Sequence, residues 1–417
     1  MLKRLAFTLS IAAVLAASGI RAVGQAPEAS SRDVIVVFYD DERDVDGLAA
    51  QHGHAYGAEI SARYHSALKG YAAKVSRAQI DDLRRDPRVA FVSDDRDVQA
   101  FAQTLPTGVN RIDAEQSSHF ALNNWNTAVA VIDTGSGPHA DLNIRGGVNC
   151  QTGKGYSDGN GHGTHVAGTI GAINNGSGVV GVAPGIPIYS VRVLDNRGSG
   201  RFSNIICGID WVTANASKLN IKVANMSLGG AGTDDGNCGN TNGDAMHKAI
   251  CNSVAAGVTY VVAAGNDGAN MAGSVPASYN EVLSVTAVAD FNGQAGGGGA
   301  ATCRAGVDDT AADFSNFAMP GSPDQGQTTA APGVCIYSTW KGGGYTTISG
   351  TSMASPHAAG VAALCIASGR CTGTPADVIA MLRSDAAAQD PSYGFVGDPN
   401  HSIGGRAYGY LLRAAGY

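Results

Sequence analysis

The sequence predicts two folded regions: a small α+β module, then a large α/β domain whose parallel sheet carries helices on both faces. Three observations lead there. Charge density changes near residue 100: 24 of the 75 residues from 27 to 101 are Asp, Glu, Lys or Arg, against 36 of the 316 that follow. In the second region apolar runs of strand length recur between segments of helix length. Strands apolar on both faces belong to a parallel sheet covered on both sides. In the first region short strands and helices alternate in the order β-α-β-β-α-β.

At the start, Lys3 and Arg4 precede an apolar run from Leu5 to Ala17, followed by small residues. This is the pattern of an export signal over residues 1–26, with cleavage between Ala22 and Ala26. The run is shorter than the ~20 residues a spanning helix needs. In residues 27–101, Val34–Tyr39 reads as a strand and Glu42–Gln51 as a helix. Residues 56–66 and 70–76 can pair around Lys69-Gly70. Ser76 can cap a helix through Arg85, stopped by Pro87, and Arg88–Ser93 is the last strand. That order is the one found in ferredoxin-like sandwiches.

In residues 102–417 the strands are Ala128–Ile132, Ile188–Val193, Val223–Met226, Val258–Ala263 and Val282–Val288. Helices are expected over 161–172, 202–216, 243–256, Thr351–Ala367 and Pro375–Ala387. Tyr410-Leu411-Leu412 reads as a final strand or helix. The 57 glycines follow no Gly-X-Y period, which excludes collagen and suggests many tight loops. Gly296–Gly299 reads as a surface loop with no evident function. A net charge of −7 argues against nucleic acid or an anionic membrane as the main partner. The eight cysteines all lie beyond residue 149, and no C-x-x-C occurs. Export permits disulfides, and pairing in sequence order is the simplest scheme.

Chemistry in such a sheet sits at the carboxyl ends of the strands. Val129-Ala130-Val131-Ile132 runs into Asp133-Thr134-Gly135. Asn160-Gly161-His162-Gly163-Thr164-His165 opens one helix, Gly350-Thr351-Ser352-Met353-Ala354 opens another, and Ala263-Ala264-Gly265-Asn266 ends a strand. A serine hydroxyl becomes a nucleophile when a base lies within reach and an acid orients that base. Asp133, His162 and Ser352 supply those types beside small residues, and a helix N-terminus offers N–H groups to a developing oxyanion.

These blocks resemble the subtilisin family of serine endopeptidases, the subtilases, in residue type and in the chain order Asp, His, Ser. The resemblance covers residues 102–417. It implies a subtilisin-like parallel sheet and assigns Asp133, His162 and Ser352 to the catalytic triad and Asn266 to the side-chain oxyanion donor. His165 and His357 are then packing residues. Gly198-Ser199-Gly200 and Ser227-Leu228-Gly229-Gly230 match the two strands that hold substrate. Leu194, Phe202, Ile205 and Leu228 would form an apolar pocket for the fourth residue before the cut. Ser274 lies near the base of the first pocket, Pro276 aligns with a proline that is cis in many relatives, and no acidic residue is evident there. A broad preference for large apolar or aromatic residues follows.

Residues 27–101 resemble the family's propeptide, an intramolecular chaperone and inhibitor, with cleavage between Phe101 and Ala102, and cleavage after Ala100 or after Gln103 as the near alternatives. Ile173-Asn174-Asn175-Gly176-Ser177-Gly178-Val179 resembles the family's strong calcium loop. The implied ligands are the side chains of Gln103, Asp141 and Asn175 and the carbonyls of Ile173, Ser177 and Val179. Asp308, Asp309 and Asp313 suggest a second, weaker site. Loops 231–243 and 292–313 are longer than in many relatives. The expectation is a secreted, monomeric, calcium-stabilised protease acting on polypeptides, with its own propeptide as inhibitor and neither nucleic acid nor membrane as partner. A silent protease fold used for binding, or a serine esterase, are the competing classes. The complete triad speaks against the first, and its chain order Asp, His, Ser, where α/β-hydrolases have Ser, Asp/Glu, His, against the second.

Overall fold

A computed structural model describes residues 31–96, 102–122 and 124–417. The signal segment and Phe101 lie outside the described residues. The chain divides into two compact units, Met1–Ala100 and Phe101–Tyr417.

The first unit contains β1 (Ser31–Phe38), α1 (Val45–Tyr56), β2 (Glu59–Tyr64), β3 (Gly70–Ser76), α2 (Arg77–Arg85) and β4 (Val89–Asp94). Its antiparallel sheet runs β2-β3-β1-β4, the ferredoxin-like order. Asp44 caps α1 by accepting the Gly47 N–H at 2.9 Å. Gln79 Oε1 accepts the Ser76 N–H at the start of α2. Val34, Val36, Phe38, Leu48, Tyr71, Val75, Ile80 and Leu83 form the core.

The second unit begins with α3 (Thr107–Arg111), β5 (Ala128–Asp133), β6 (Ile144–Asn149), α4 (His162–Gly171), β7 (Ile188–Arg192), α5 (Phe202–Asn215), β8 (Ile221–Met226) and β9 (Gly230–Ala231). It continues with α6 (Ala245–Ala255), β10 (Thr259–Ala263), β11 (Ser274–Val275), β12 (Val282–Ala289), β13 (Thr310–Ala311) and β14 (Thr328–Pro332). The hairpin β15 (Ile336–Trp340) and β16 (Gly344–Ile348), then α7 (Thr351–Ala367) and α8 (Pro375–Ala387), complete it. Seven strands lie parallel in the order β6-β7-β5-β8-β10-β12-β14, and β13 adds antiparallel to β12.

The two-sided burial expected of the strands is present. Val129 and Val131 of β5 face a core shared with α4 and α7, while Ala128, Ala130 and Ile132 face one shared with α5 and α6. After β5 the chain builds outward first through β6 and β7, then through β8, β10 and β12 on the other side. The topological switch therefore falls at β5, where a ligand cleft is expected. Asp133 is its last residue.

Some features depart from the sequence reading. The edge strand β6 and strand β14 were not expected, nor was the β15–β16 hairpin. Tyr410–Leu412 is neither a helix nor a full strand: Leu411 makes a single bridge to Ala330. Gly296–Gly299 does have a structural task. Gly296 and Gly297 N–H groups donate to Asp309 Oδ2, and Gly299 N–H donates to Asp308 Oδ2. The cysteines pair in sequence order: Cys150–Cys207, Cys238–Cys251, Cys303–Cys335 and Cys365–Cys371. Among the described residues, no helix is long and apolar enough to cross a membrane.

Candidate active site

Asp133, fully buried at the end of β5, accepts from His162 Nδ1 at 2.8 Å through Oδ1 and at 3.0 Å through Oδ2. A proton held on Nδ1 leaves the Nε2 lone pair of a neutral ring free to act as a base. Close packing explains the flanking glycines. A Cβ on Gly163 would stand 2.0 Å from the Gly135 carbonyl and 3.0 Å from Asp133 Cβ. Gly161 adopts φ +120°, and a Cβ there would meet the Trp340 ring at 2.4 Å.

Burial opposes charge on His162. The Asp133 charge and hydrogen bond, with the Asp158 charge behind them, outweigh it and hold the ring's pKa above 6.5. His165 and His357 differ. Burial pushes His165 down to about 3 and His357 to about 4, so both stay neutral. His165 Nε2 donates to the Ile336 carbonyl and His357 Nδ1 to the Met353 carbonyl, as packing residues would.

Asp158 went unnoticed in the sequence. It accepts from Thr134 Oγ1 at 2.9 Å, and from the N–H groups of Asn160 and Gly161 at 2.8 Å and of Thr164 at 2.9 Å. Thr164 Oγ1 adds a fifth donor at 2.6 Å. Thr134 Oγ1 in turn accepts the Gly163 N–H at 2.9 Å. This one carboxylate fastens the end of β5 to the start of α4, and so fixes Asp133 relative to His162.

Ser352 lies in the first turn of α7. Its hydroxyl donates to the Ser227 carbonyl at 3.1 Å rather than to His162. Ser227 Oγ donates back to the Ser352 carbonyl at 2.8 Å. Asn266 Oδ1 accepts from Thr351 N–H at 2.8 Å and from Thr351 Oγ1 at 2.9 Å.

Asn266 and Ser352 line one cavity of about 430 Å³ with Leu228, Gly229, Gly230, Ser274 and Val275. His162 lines an adjoining cavity of about 580 Å³ with Leu194, Gly198, Ser199, Gly200, Phe202, Ile205 and Ser227. Leu228, Gly229 and Gly230 border both. The expected groove residues are thus together, and the Val275–Pro276 bond is cis. The first cavity is not free of acid: exposed Asp267 also lines it.

The residues expected around calcium also converge. Gln103 Nε2 lies 2.7, 3.2 and 3.0 Å from the carbonyl oxygens of Ile173, Ser177 and Val179. Asn175 Nδ2 donates to Asp141 Oδ1 at 2.9 Å. An amide nitrogen carries two hydrogens, so three carbonyls around it exceed its capacity to donate. The second site suggested by Asp308, Asp309 and Asp313 does not form. Asp308 and Asp309 accept from loop N–H groups, Asp309 Oδ1 also takes buried Arg111 at 2.8 Å, and Asp313 pairs with Arg304. Arg111 on Asp309 and Arg304 on Asp313 already supply the positive charge an ion would bring.

Comparison with known proteins identifies the family. The model described as the subtilase family matches residues 124–406, and the peptidase inhibitor I9 model matches residues 27–101. Subtilisin E of Bacillus subtilis (strain 168) is 39% identical over 322 residues, covering 76% of this chain and 74% of that protein. Alkaline elastase YaB of Bacillus sp. (strain YaB) is 40% identical over 286 residues, 68% of this chain and 66% of that protein. The crystal structure of a cold adapted subtilisin-like serine proteinase aligns with TM-score 0.54 and 32% identity, over 74% of this chain and 97% of its own. The chain therefore belongs to the subtilase family of serine endopeptidases and carries an I9-type inhibitor domain ahead of its protease domain.

Proposed function

We propose that the protein is exported as a pre-proenzyme, cuts itself between Phe101 and Ala102, and then hydrolyses polypeptides through Ser352, His162 and Asp133. The observation that carries this reading is the 2.8 Å contact between Asp133 and His162, set where two cavities adjoin and Ser352 opens into one of them. Rotation about the Ser352 side chain exchanges the Ser227 carbonyl for His162 Nε2 as acceptor. His162 takes the proton as Ser352 Oγ attacks the scissile carbonyl. The ring then returns that proton to the leaving amine, and the acyl-enzyme is hydrolysed by water through the reverse sequence. Asp133 holds the tautomer and offsets the imidazolium. The Asn266 amide and the Ser352 N–H receive the oxyanion.

Substrate would bind as an added strand along Gly198–Gly200 and Ser227–Gly229, where small residues leave backbone groups accessible. Leu194, Phe202, Ile205 and Leu228 would take the fourth side chain before the cut. The first pocket, walled by Gly230, Ala231, Ala263, Ala264 and Val275, would favour large apolar residues, including Phe101 of the protein's own junction.

Calcium is the cofactor this reading implies. A half-turn of the Gln103 amide presents its oxygen instead of nitrogen to the Ile173, Ser177 and Val179 carbonyls, and Asp141 and Asn175 add side-chain oxygens. An all-oxygen set of that kind suits calcium. Calcium here would lock the loop after α4 to the new N-terminus.

The deciding experiment is intact mass and N-terminal sequencing of the secreted protein, wild type beside Ser352→Ala. The expected result is a wild type that starts at Ala102 and a variant that keeps residues 27–101. Identical maturation of the two would assign the cut to another protease and remove self-processing from the reading.

A further inference from the structure

His247, in the first turn of α6, is fully buried. Its Nε2 lies 2.8 Å from Glu281 Oε2, and its ring stacks on Tyr279 with centroids 4.0 Å apart and planes 1° from parallel. The other ring nitrogen, Nδ1, has no hydrogen-bond partner among the described residues. Yet Asp234 Oδ1 and Asp235 Oδ1 stand 3.4 and 3.6 Å from it. These separations exceed the ~2.7–3.2 Å of an N–H···O bond. They fit two ligands of one tetrahedral ion, since bonds of about 2.0–2.2 Å place ligand atoms roughly 3.3–3.6 Å apart.

We propose that His247 Nδ1, Asp234 Oδ1 and Asp235 Oδ1 form a site for a divalent metal ion of the zinc class, with water completing the shell. Glu281 accepts the Nε2 proton and turns the Nδ1 lone pair toward the two carboxylates, the carboxylate–histidine arrangement that supports metal ligands. An imidazole nitrogen selects zinc-like ions over calcium, which separates this site from the oxygen-only set at Gln103.

The long loop 231–243 is organised in advance. Asp235 accepts from the N–H groups of Asn237 and Gly239 through Oδ1, and of Thr241 and Asn242 through Oδ2. The Cys238–Cys251 disulfide ties the loop to α6. Asn280 Nδ2 donates to Asp234 Oδ2, so the ion also joins the segment after β11 to the segment after β9. Those two strands pair with each other and line the first pocket.

The test uses the mature enzyme, blocked with a sulfonyl fluoride against autolysis, stripped of transition metals and held in saturating calcium. Zn²⁺ is titrated by calorimetry and by competition with a chromogenic chelator. Wild type is expected to take up one equivalent and to melt at a higher temperature with zinc than without. Asp234→Asn and His247→Gln lose that equivalent, and Glu281→Gln keeps it with affinity weakened about 10–100-fold. His247 is buried and its replacement can disturb folding, so Asp234→Asn, on the loop, is the deciding variant. Its zinc-free melting temperature serves as the folding check. A wild type that takes up no zinc overturns the proposal and leaves His247 as a packing residue beside three carboxylates. An equivalent that persists in both Asp234→Asn and His247→Gln overturns it too, because the ion then lies elsewhere.

Discussion

Thr351 fixes which end of the Asn266 amide meets the substrate. Its backbone N–H donates to Asn266 Oδ1 at 2.8 Å, and only an oxygen can accept that bond. The Nδ2 hydrogens are therefore left for the cavity that Asn266 shares with Ser352. Asn266→Leu is expected to lower kcat by about 10²–10³ with little change in KM, the magnitude seen when subtilisin loses its side-chain oxyanion donor. Thr351→Val keeps the N–H but removes the Oγ1 bond to Asn266, and should lower kcat about 5–10-fold, the worth of one neutral hydrogen bond near 1 kcal/mol. Steady-state kinetics on one peptide amide compare both. Near-wild-type turnover in Asn266→Leu would end the assignment.

The pH profile reports on Asp158. His162 must be neutral to accept the Ser352 proton, so kcat/KM rises with pH as the ring loses its charge. The Asp133 and Asp158 charges hold that pKa above 6.5, so the rising limb should have its midpoint above 6.5. Asp158→Asn removes one of those charges, and the limb should move to lower pH. The same change sets an amide NH₂ among five donors, which should destabilise the fold by about 1–3 kcal/mol. A variant that loses stability with its limb unmoved would make Asp158 a purely structural clamp.

Sequence and structure agree where the signal is periodic or the motif is contiguous. β5 reads as a strand because Ala128–Ile132 is apolar at every position, and the structure buries both of its faces. α7 and α8 are legible to the residue, each opening on a small or capping residue. β6 was missed because it is an edge strand, Ile-Arg-Gly-Gly-Val-Asn, only partly buried and without apolar continuity. Asp158 and Thr351 were missed as positioning residues because the partners that tie them to the site, Thr134 and Asn266, stand 24 and 85 positions away, and an isolated Asp or Thr in a glycine-rich loop has the look of a turn. Asp267 was overlooked because its place on the cavity depends on how β10 and β11 converge.

Calcium removal should lower stability without altering the chemistry. If the ion binds the folded enzyme and is present at 100 times its Kd, it adds about 2.7 kcal/mol. At roughly 2–4 °C per kcal/mol for a domain of this order of size, chelation should lower Tm by about 5–10 °C. The sulfonyl fluoride-blocked enzyme, scanned with EDTA and again after calcium is restored, measures this. Asp141→Ala, which removes a carboxylate from the loop, should melt low and show little response to either treatment. An unchanged wild-type Tm in EDTA would leave the Gln103 cluster as a hydrogen-bonded clasp.

Asp267 sets two effects against each other in the first pocket. The walls contributed by Gly230, Ala231, Ala263, Ala264 and Val275 are small or apolar and favour a large apolar side chain. Asp267 adds a carboxylate that attracts Arg or Lys, but it is solvent-exposed, and such charges are screened over about 8–10 Å at physiological ionic strength. The apolar contribution should win, with a Phe peptide cleaved faster than its Arg counterpart in tetrapeptide amides matched at the other positions. Asp267→Asn should lower kcat/KM for the Arg peptide about 2–5-fold, as expected for an exposed charge pair worth under 1 kcal/mol, and leave the Phe peptide unchanged. That loss should itself shrink at high salt. If the Arg peptide is the better wild-type substrate, the apolar walls do not set the preference, and the Phe101–Ala102 junction loses its rationale as the site of self-cleavage.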